Sequence, residues 1–351
     1  MPCLGVAQGA APGTLVPASH HKQRPFHPAA ADHGLRWVSG LGCRHDRREH
    51  VEAVGLPAEL ARGRRLRPLG AKGHWGRSLA RFTCAQALTK LHDKSEARRK
   101  EGCRAIQARV RELMHARDDA RIRLLLDTMA RTLVGAPGLF ERTGGLFGLS
   151  AAGTALGTQV TPYLDTIVNA AVTALDDDRP PVRFAGCEAL FNVTKVARAD
   201  MLRPDLFRAV FVAMLSVVGD TTDSDVRGGA WLLSTTLLDV ASAQGDALDL
   251  PLFLDLFRAH SQAANPHIRQ ALLTWLRQLD SVPGIDVGDF LPQFLGPLLL
   301  MLQDPNSPVR SETHKVLQHF MGQLQTLSSD ELADRVDLPA VVAILTETSV
   351  A

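Results

Sequence analysis

The sequence predicts an all-α protein built from stacked pairs of antiparallel helices, with no sheet. Three observations predict this class. A short polar turn that ends in arginine recurs along the chain, and the apolar residues between these turns have helical spacing. In addition, 45% of the 351 residues are hydrophobic but only 5% are aromatic, with a single Tyr. A core made of Leu, Val and Ala suits packed helices better than β-sheets.

The recurring turn joins a polar run to an aliphatic or small residue and then to an arginine. It occurs six times, at Arg99, Arg142, Arg183, Arg227, Arg269 and Arg310. The intervals between these arginines are 43, 41, 44, 42 and 41 residues. Helical repeats of the HEAT and armadillo types recur at about 40 to 47 residues. The spacing therefore predicts a HEAT/armadillo-like α-α superhelix of about six hairpins and an incomplete seventh.

Each repeat has the features of a helical hairpin. The segment 164–175 carries apolar residues at spacings of three and four, which predicts an amphipathic first helix. The turn that follows contains Asp, Asn and Ser side chains, which cap the second helix by accepting bonds from its free amides. Pro181 and Pro308 fall where a second helix should begin, and a missing amide does little harm there. One hairpin cannot bury its own apolar face, so several must stack.

The aliphatic residue and the arginine that end each turn have a structural interpretation. We expect the aliphatic side chain to enter the core between repeats. We expect the arginine to meet an Asp or a helix end in the adjacent unit, so that successive arginines form a ladder along the stack. This role is favoured over direct contact with a ligand.

The composition divides the chain near Arg81. Residues 1–81 are rich in Pro, Gly, Ala, Arg and His, with few acidic residues and little periodicity. This composition predicts a disordered leader, or an N-terminal extension wrongly assigned to the protein, before a solenoid over 82–351. A transit peptide, a metal site around Cys43 and His50, and contact of the arginine cluster at 62–67 with acidic lipids are the minor alternatives.

Net charge, cysteine spacing and the length of the apolar runs argue against nucleic-acid binding, a disulfide framework and a membrane-spanning helix. The net charge of +2 gives no reason to expect a nucleic-acid partner. Five widely spaced cysteines form no CxxC pair, which argues against a disulfide framework and fits a reducing cytosol. No apolar run approaches the roughly 20 residues of a membrane-spanning helix. Any membrane contact is therefore expected to be indirect.

Two segments contain residues that could be mistaken for a nucleotide-binding or a nucleophilic motif. Gly144, Gly145 and Gly148 match neither a P-loop nor a dinucleotide fingerprint, and we expect them to allow close helix packing. Cys187 is followed by Glu188, but no nearby His completes a nucleophilic arrangement.

Histidine and tryptophan positions also favour structural roles. His314 and His319 are five residues apart and would point to different faces of a helix. We expect Trp231 and Trp275 to pack in the core. The sequence thus predicts no catalytic residues, no metal and no cofactor, and the protein is expected not to be an enzyme.

Three segments carry a family resemblance: 142–157, 182–198 and 281–292. Together they resemble the N-terminal half of the vacuole-morphology scaffold family (Vac-fourteen), with the helix over 187–198 the most specific part. Members of this family hold the PIKfyve-type phosphatidylinositol 3-phosphate 5-kinase, which makes phosphatidylinositol 3,5-bisphosphate, together with an opposing Sac-domain phosphatase. Residues 1–81 have no counterpart in the family, and the chain stops where family members continue.

The resemblance implies a non-enzymatic scaffold that binds and positions the lipid kinase on the cytosolic face of endosomal and vacuolar membranes. Phosphatase docking and self-assembly belong to the family's C-terminal part, so they are expected only if that part is present. A HEAT-repeat adaptor of another class, such as a transport receptor or a phosphatase scaffold, is the alternative.

The second helices of stacked repeats line one face, which repeat proteins use for binding. By resemblance, the kinase contact is expected on the second helices of the third and fourth units. The tentative partner-binding residues there are Arg183, Asn192, Lys195, Arg198, Arg227 and Leu232. Leu232 and Leu233 are also expected to pack between units, so that Leu232→Arg would bury a charge.

The last unit is expected to consist of one helix over 338–346, with no partner helix behind it. Leu338, Val341, Val342, Ile344 and Leu345 would then leave part of an apolar face exposed. Self-association or aggregation is the expected consequence.

Overall fold

The computed structural model describes residues 85–220 and 222–350, and every regular element in these ranges is a helix. The elements in chain order are α1 (85–91), α2 (Glu96–His115), α3 (Asp119–Thr128) with a π-helical continuation (Met129–Val134), α4 (Leu139–Leu156), α5 (Leu164–Leu175), α6 (Pro180–Ala197), α7 (Pro204–Val218), α8 (Ser224–Ala243), α9 (Leu250–His260), α10 (Pro266–Asp280), α11 (Leu291–Met301), α12 (Ser307–Thr326), α13 (Ser329–Arg335) and α14 (Leu338–Val350). The prediction for residues 1–81 lies outside the described residues.

The helices pair as six consecutive hairpins, from α1–α2 to α11–α12, followed by α13 and α14. Second helices pack against second helices of the next unit, as α2, α4, α6 and α8 do in turn. First helices form the other layer, in which α5 contacts α7 and α9 contacts α11. The predicted HEAT/armadillo-like α-α superhelix is confirmed.

The seventh unit differs from its prediction. A single helix was expected, whereas the short helix α13 precedes α14. Ser328 and Glu331 form a capping box at the start of α13, which is a signal that the sequence contains. In α14, Leu338, Val341 and Ile344 pack against the core, while the side chains of Val342 and Leu345 are 58% and 44% exposed.

The turns start the second helices as predicted. Asp223 accepts hydrogen bonds from the amides of Asp225 and Val226, and Asn306 accepts one from the amide of Val309. Proline occupies both of the first two positions of α6 and one of the first two positions of α10 and α12. These caps satisfy amides that have no partner inside the helix.

The repeat arginines occupy equivalent positions. Each one donates to a backbone carbonyl six or seven residues earlier, within the turn that precedes its helix. The bonds are Arg99 Nη1 to Asp93 O at 2.8 Å, Arg142 Nε to Ala136 O at 2.6 Å, Arg183 Nη1 to Asp177 O at 2.9 Å, Arg227 Nη1 to Asp220 O at 2.7 Å, Arg269 Nη1 to Ala263 O, and Arg310 Nη1 to Asp304 O at 2.6 Å.

Three of these arginines also bind an aspartate in the turn of the next unit. The pairs are Arg142 with Asp177, Arg183 with Asp220 (Nε to Oδ2, 2.9 Å) and Arg269 with Asp304 (Nη2 to Oδ1, 3.0 Å). The aliphatic residues before the arginines enter the core, since Val182, Val226 and Val309 are buried. The arginine ladder predicted from the sequence is confirmed at these three joints.

Asp220 makes the ladder sensitive to acid. Burial on its own would raise the pKa of Asp220, but hydrogen bonds from Thr222 and Arg183 outweigh it and lower the pKa to about 2. Because the folded pKa lies below the value of 3.8 for a free side chain, the stabilisation is present above about pH 4 and is lost as the pH falls towards 2.

We therefore expect the urea midpoint of the unmodified chain to fall between pH 4 and pH 2 more steeply than that of Asp220→Asn. Denaturation of both proteins over this range tests the prediction. A difference between the two midpoints that stays constant from pH 5 to pH 2 would contradict it.

Both tryptophans of the second helices α8 and α10 contribute to the core. Trp275 is fully buried among Phe207, Phe211 and Phe253, with ring centroids 4.9 to 5.9 Å away, and its Nε1 donates to Ser234 Oγ at 2.9 Å. Trp231 is half-buried and packs against the same core. The predicted core roles of both tryptophans are confirmed.

Candidate partner-binding surface

Helix α6 carries a row of side chains that the core does not fully cover. Phe184, Glu188, Phe191 and Lys195 follow one another at spacings of four, three and four, so they lie on one face of the helix. The first three are half-buried and Lys195 is exposed. We call these four residues the α6 stripe.

The six residues predicted to bind a partner have different surroundings. Arg183 and Arg227 are half-buried and hold the turns of the ladder. Asn192 donates from Nδ2 to Ser150 Oγ on α4 at 3.0 Å. These three residues therefore have structural partners within the chain.

Lys195, Arg198 and Leu232 remain accessible. Lys195 Nζ lies 5.0 Å from the centroid of the Phe191 ring, within the range of a cation–π contact. Arg198 is exposed just after α6, and Leu232 is half-buried on α8. The structure thus brings Lys195 and Leu232 onto the second-helix layer and leaves Arg198 at its edge.

Leu232 is less buried than the adjacent Leu233. Leu233 is fully buried, whereas Leu232 is half-buried and is not among the residues packed against the core. The expected burial of a charge therefore applies to Leu233→Arg. A long side chain at position 232 can carry its charged end to solvent.

Helix α4 packs between α2 and α6 and is more buried than either of them. Of its residues from Thr143 to Gly153, only Phe147 is not buried. A Cβ atom on Gly144 would lie 2.2 Å from Leu91 O, and one on Gly148 would lie 2.6 Å from a methyl carbon of Leu91. The prediction that these glycines allow close helix packing is confirmed.

Two thiols and one carboxyl group on the helices beside α4 have shifted pKa values: Cys103, Cys187 and Glu188. Burial raises the pKa of Cys187 to about 12, so this thiol stays protonated at neutral pH. Burial, together with the nearby Glu188, raises the pKa of Cys103 to about 11. Burial also raises the pKa of Glu188.

Among the residues that the structure describes, no group of three or more His, Cys, Asp or Glu side chains could hold a metal ion. None of the described helices is both long and apolar enough to cross a membrane.

Arg198 adopts a backbone conformation that disfavours a side chain. Its φ of 48° and ψ of −116° resemble the 56° and −130° of Gly157, which ends α4 at the equivalent position. We expect Arg198→Gly to raise the free energy of unfolding by about 1 kcal/mol, because glycine adopts this conformation without steric cost. Urea denaturation measures the change. Arg198→Ala is the control, since it keeps the Cβ atom and should give no such gain.

The stacked hairpins and the partly uncovered second-helix layer define a helical-repeat (solenoid) protein, a class whose members commonly bind other molecules along such a face. Residues 140–239 match the family model described as the Vacuolar 14 Fab1-binding region. This region runs from the start of α4 into α8 and contains the whole α6 stripe.

Curated relatives match a larger part of the chain. "Protein VAC14 homolog" of Arabidopsis thaliana is 31% identical over 239 residues, which cover 68% of this chain and 32% of the relative. "Vacuole morphology and inheritance protein 14" of Saccharomyces cerevisiae is 28% identical over 279 residues, with 68% and 31% covered. The chain thus spans about a third of the length of these relatives. Its sequence is related to the VAC14 family, and the resemblance found in the sequence analysis is confirmed.

Solved structures with a similar arrangement are remote in sequence. A designed armadillo repeat protein is 12% identical with a TM-score of 0.39, and covers 67% of this chain and 98% of its own. The MAST/Orbit N-terminal domain is 14% identical with a TM-score of 0.41, and covers 64% and 96%. The fold assignment rests on the helix pairing and the arginine ladder of this chain itself.

Proposed function

We propose that this chain is a non-enzymatic scaffold that binds a Fab1/PIKfyve-type lipid kinase through the second helices α4, α6 and α8. The observation that carries the proposal is the match of residues 140–239 to the Fab1-binding region. Within these limits lie the α6 stripe and Leu232, which are among the apolar and charged side chains that the core leaves partly uncovered on the second helices.

The ladder gives such a surface the rigidity that a scaffold needs. Arg142 joins the second unit to the third, and Arg183 joins the third to the fourth. The second helices that would meet the kinase are therefore held in fixed register. A surface that is ordered before binding loses less conformational entropy when the partner docks.

The kinase carries out the reaction and sets the proposed location of this chain. The kinase would make phosphatidylinositol 3,5-bisphosphate on the cytosolic face of endosomal or vacuolar membranes. This chain would be a peripheral protein that the kinase recruits there. Phosphatase docking and self-assembly are not part of the proposal, because the resemblance assigns them to the family's C-terminal part.

Co-purification of the kinase with the full chain tests the proposal. We expect Leu232→Arg to weaken kinase capture by about tenfold or more, a loss of roughly 1.4 kcal/mol, because it places a charge on the apolar surface. Its melting temperature should change little, since position 232 is only half-buried.

Leu300→Arg is the matched control. Leu300 is 54% exposed on α11, outside the matched region, and its replacement should leave capture unchanged. The absence of any kinase with the unmodified chain, or equal losses from both variants, would contradict the proposal.

A further inference from the structure

The carboxylate of Glu188 lies at the centre of the candidate surface. Phe147, Glu188 and Leu232 each follow their repeat arginine by five residues, on α4, α6 and α8. These helices pack side by side, and packed helices have axes about 8 to 10 Å apart. Glu188 therefore has an apolar side chain at the equivalent position of each neighbouring helix.

Along α6 itself, Glu188 has aromatic neighbours on both sides. Phe184 is four residues earlier and Phe191 is three residues later, so both lie next to Glu188 on the same helix face. All five side chains are half-buried. Glu188 thus has four apolar residues at the neighbouring positions of its own helix and of the two adjacent helices: Phe147, Phe184, Phe191 and Leu232.

Within the part of the chain that the structure describes, Glu188 has no hydrogen-bonding or ion-pair partner. In contrast, Asp177, Asp220 and Asp304, the buried acids of the ladder, each pair with an arginine. The Glu188 oxygens are not among the buried atoms without a partner, so they reach solvent at the helix surface, where burial of the rest of the side chain limits their hydration. A cation on a bound partner can replace this water and form charge-assisted hydrogen bonds to the carboxylate.

The surroundings of the carboxylate favour an arginine over a lysine. A guanidinium is planar, stacks on aromatic rings and donates two parallel hydrogen bonds to a carboxylate. It is also more weakly hydrated than an ammonium group, so it enters apolar surroundings more readily. Lys195 Nζ lies 5.0 Å from the centroid of the Phe191 ring, so this exposed ammonium group would have to leave the ring when a guanidinium stacks there.

We propose that Glu188 and the four apolar side chains around it form a receptor for one arginine side chain of the bound kinase. In the complex, the guanidinium would donate to the carboxylate and stack between Phe184 and Phe191. This inference rests on the proposed function and names the chemistry that the surface recognises.

Glu188→Gln in the full chain tests the receptor. The amide keeps the size of the side chain but removes its charge. We expect kinase capture to weaken by about tenfold or more. The melting temperature should stay the same or rise, because the substitution removes an unpaired charge. A purely structural role for Glu188 would instead lower the melting temperature and leave capture unchanged.

Asp205→Asn is the control for loss of a negative charge. Asp205 lies in the same matched region but on a first helix, α7, with its side chain 69% exposed. It should capture the kinase normally. Normal capture by Glu188→Gln overturns the receptor and leaves the proposed function standing, whereas no capture by the unmodified chain overturns both.

A second measurement identifies the kinase residue. Phe191 is replaced by the photo-crosslinking amino acid p-benzoylphenylalanine, and the attached kinase peptide is sequenced. We expect that peptide to contain an arginine whose replacement by glutamine weakens binding as Glu188→Gln does, with no further loss when both changes are combined. A crosslinked peptide without arginine, or additive losses, overturns the receptor.

Discussion

Replacing Arg269 with alanine is expected to lower the free energy of unfolding by about 3 to 5 kcal/mol. Arg269 and Asp304 join the fifth unit to the sixth, and their side chains are only 9% and 5% exposed. Nη2 of Arg269 donates to Oδ1 of Asp304 at 3.0 Å, while Nε lies 2.5 Å from Oδ2 without the alignment of a hydrogen bond. Alanine would leave the Asp304 carboxylate buried without its counter-ion.

Urea denaturation followed by far-ultraviolet circular dichroism measures the loss. The weakened joint should also separate the array into two transitions, because each repeat is stabilised mainly by its neighbours. Arg258→Ala is the control, since Arg258 pairs with Asp255 on the surface, where both side chains are more than half exposed. It should cost less than about 1 kcal/mol. Equal losses in the free energy of unfolding would show that the buried pair stabilises the protein no more than the exposed pair does.

Replacing Gly144 with alanine is expected to destabilise the protein by about 3 kcal/mol, at the upper end of the usual cost of overpacking. The added Cβ atom would lie 2.2 Å from Leu91 O and 2.6 Å from Leu91 C. Both are backbone atoms at the end of α1, so no side-chain rotation can relieve the contact. Helices α1 and α4 would have to move apart.

Gly228→Ala is the matched control, because Gly228 also lies near the start of a second helix. A Cβ atom there meets nothing within 4 Å. Alanine should therefore stabilise α8 by about 0.5 to 1 kcal/mol through its higher helix propensity. Thermal and urea denaturation of both variants should give shifts of opposite sign. Two shifts of the same sign would mean that the approach of Leu91 to α4 does not limit residue 144.

The sequence was most informative where a feature repeats. Six arginines at nearly constant intervals predicted the number of hairpins, and the aspartates of the turns recur with them, so the ladder could be predicted as well. The packing role of Gly144 could also be predicted, because a glycine-rich helix has room for close neighbours and lacks the spacing of a phosphate-binding loop.

Features that depend on the packing of two distant segments could not be predicted. Leu232 and Leu233 are consecutive apolar residues, and only the placement of α8 decides which one is buried. Asn192 donates a hydrogen bond to Ser150, which lies 42 residues earlier in the sequence. The lack of a partner for Glu188 is likewise invisible in the sequence, which contains many arginines that could have paired with it.

The ladder has a consequence for how such an array grows. At a joint, the turn aspartate of one unit receives the arginine of the unit before it, as Asp220 receives Arg183. Its backbone carbonyl receives the arginine of its own unit, here Arg227. Every unit that has both groups therefore carries the accepting half of one joint and the donating half of the next. A unit copied in tandem would meet complementary groups at both ends, so duplication can lengthen the array without the evolution of a new interface.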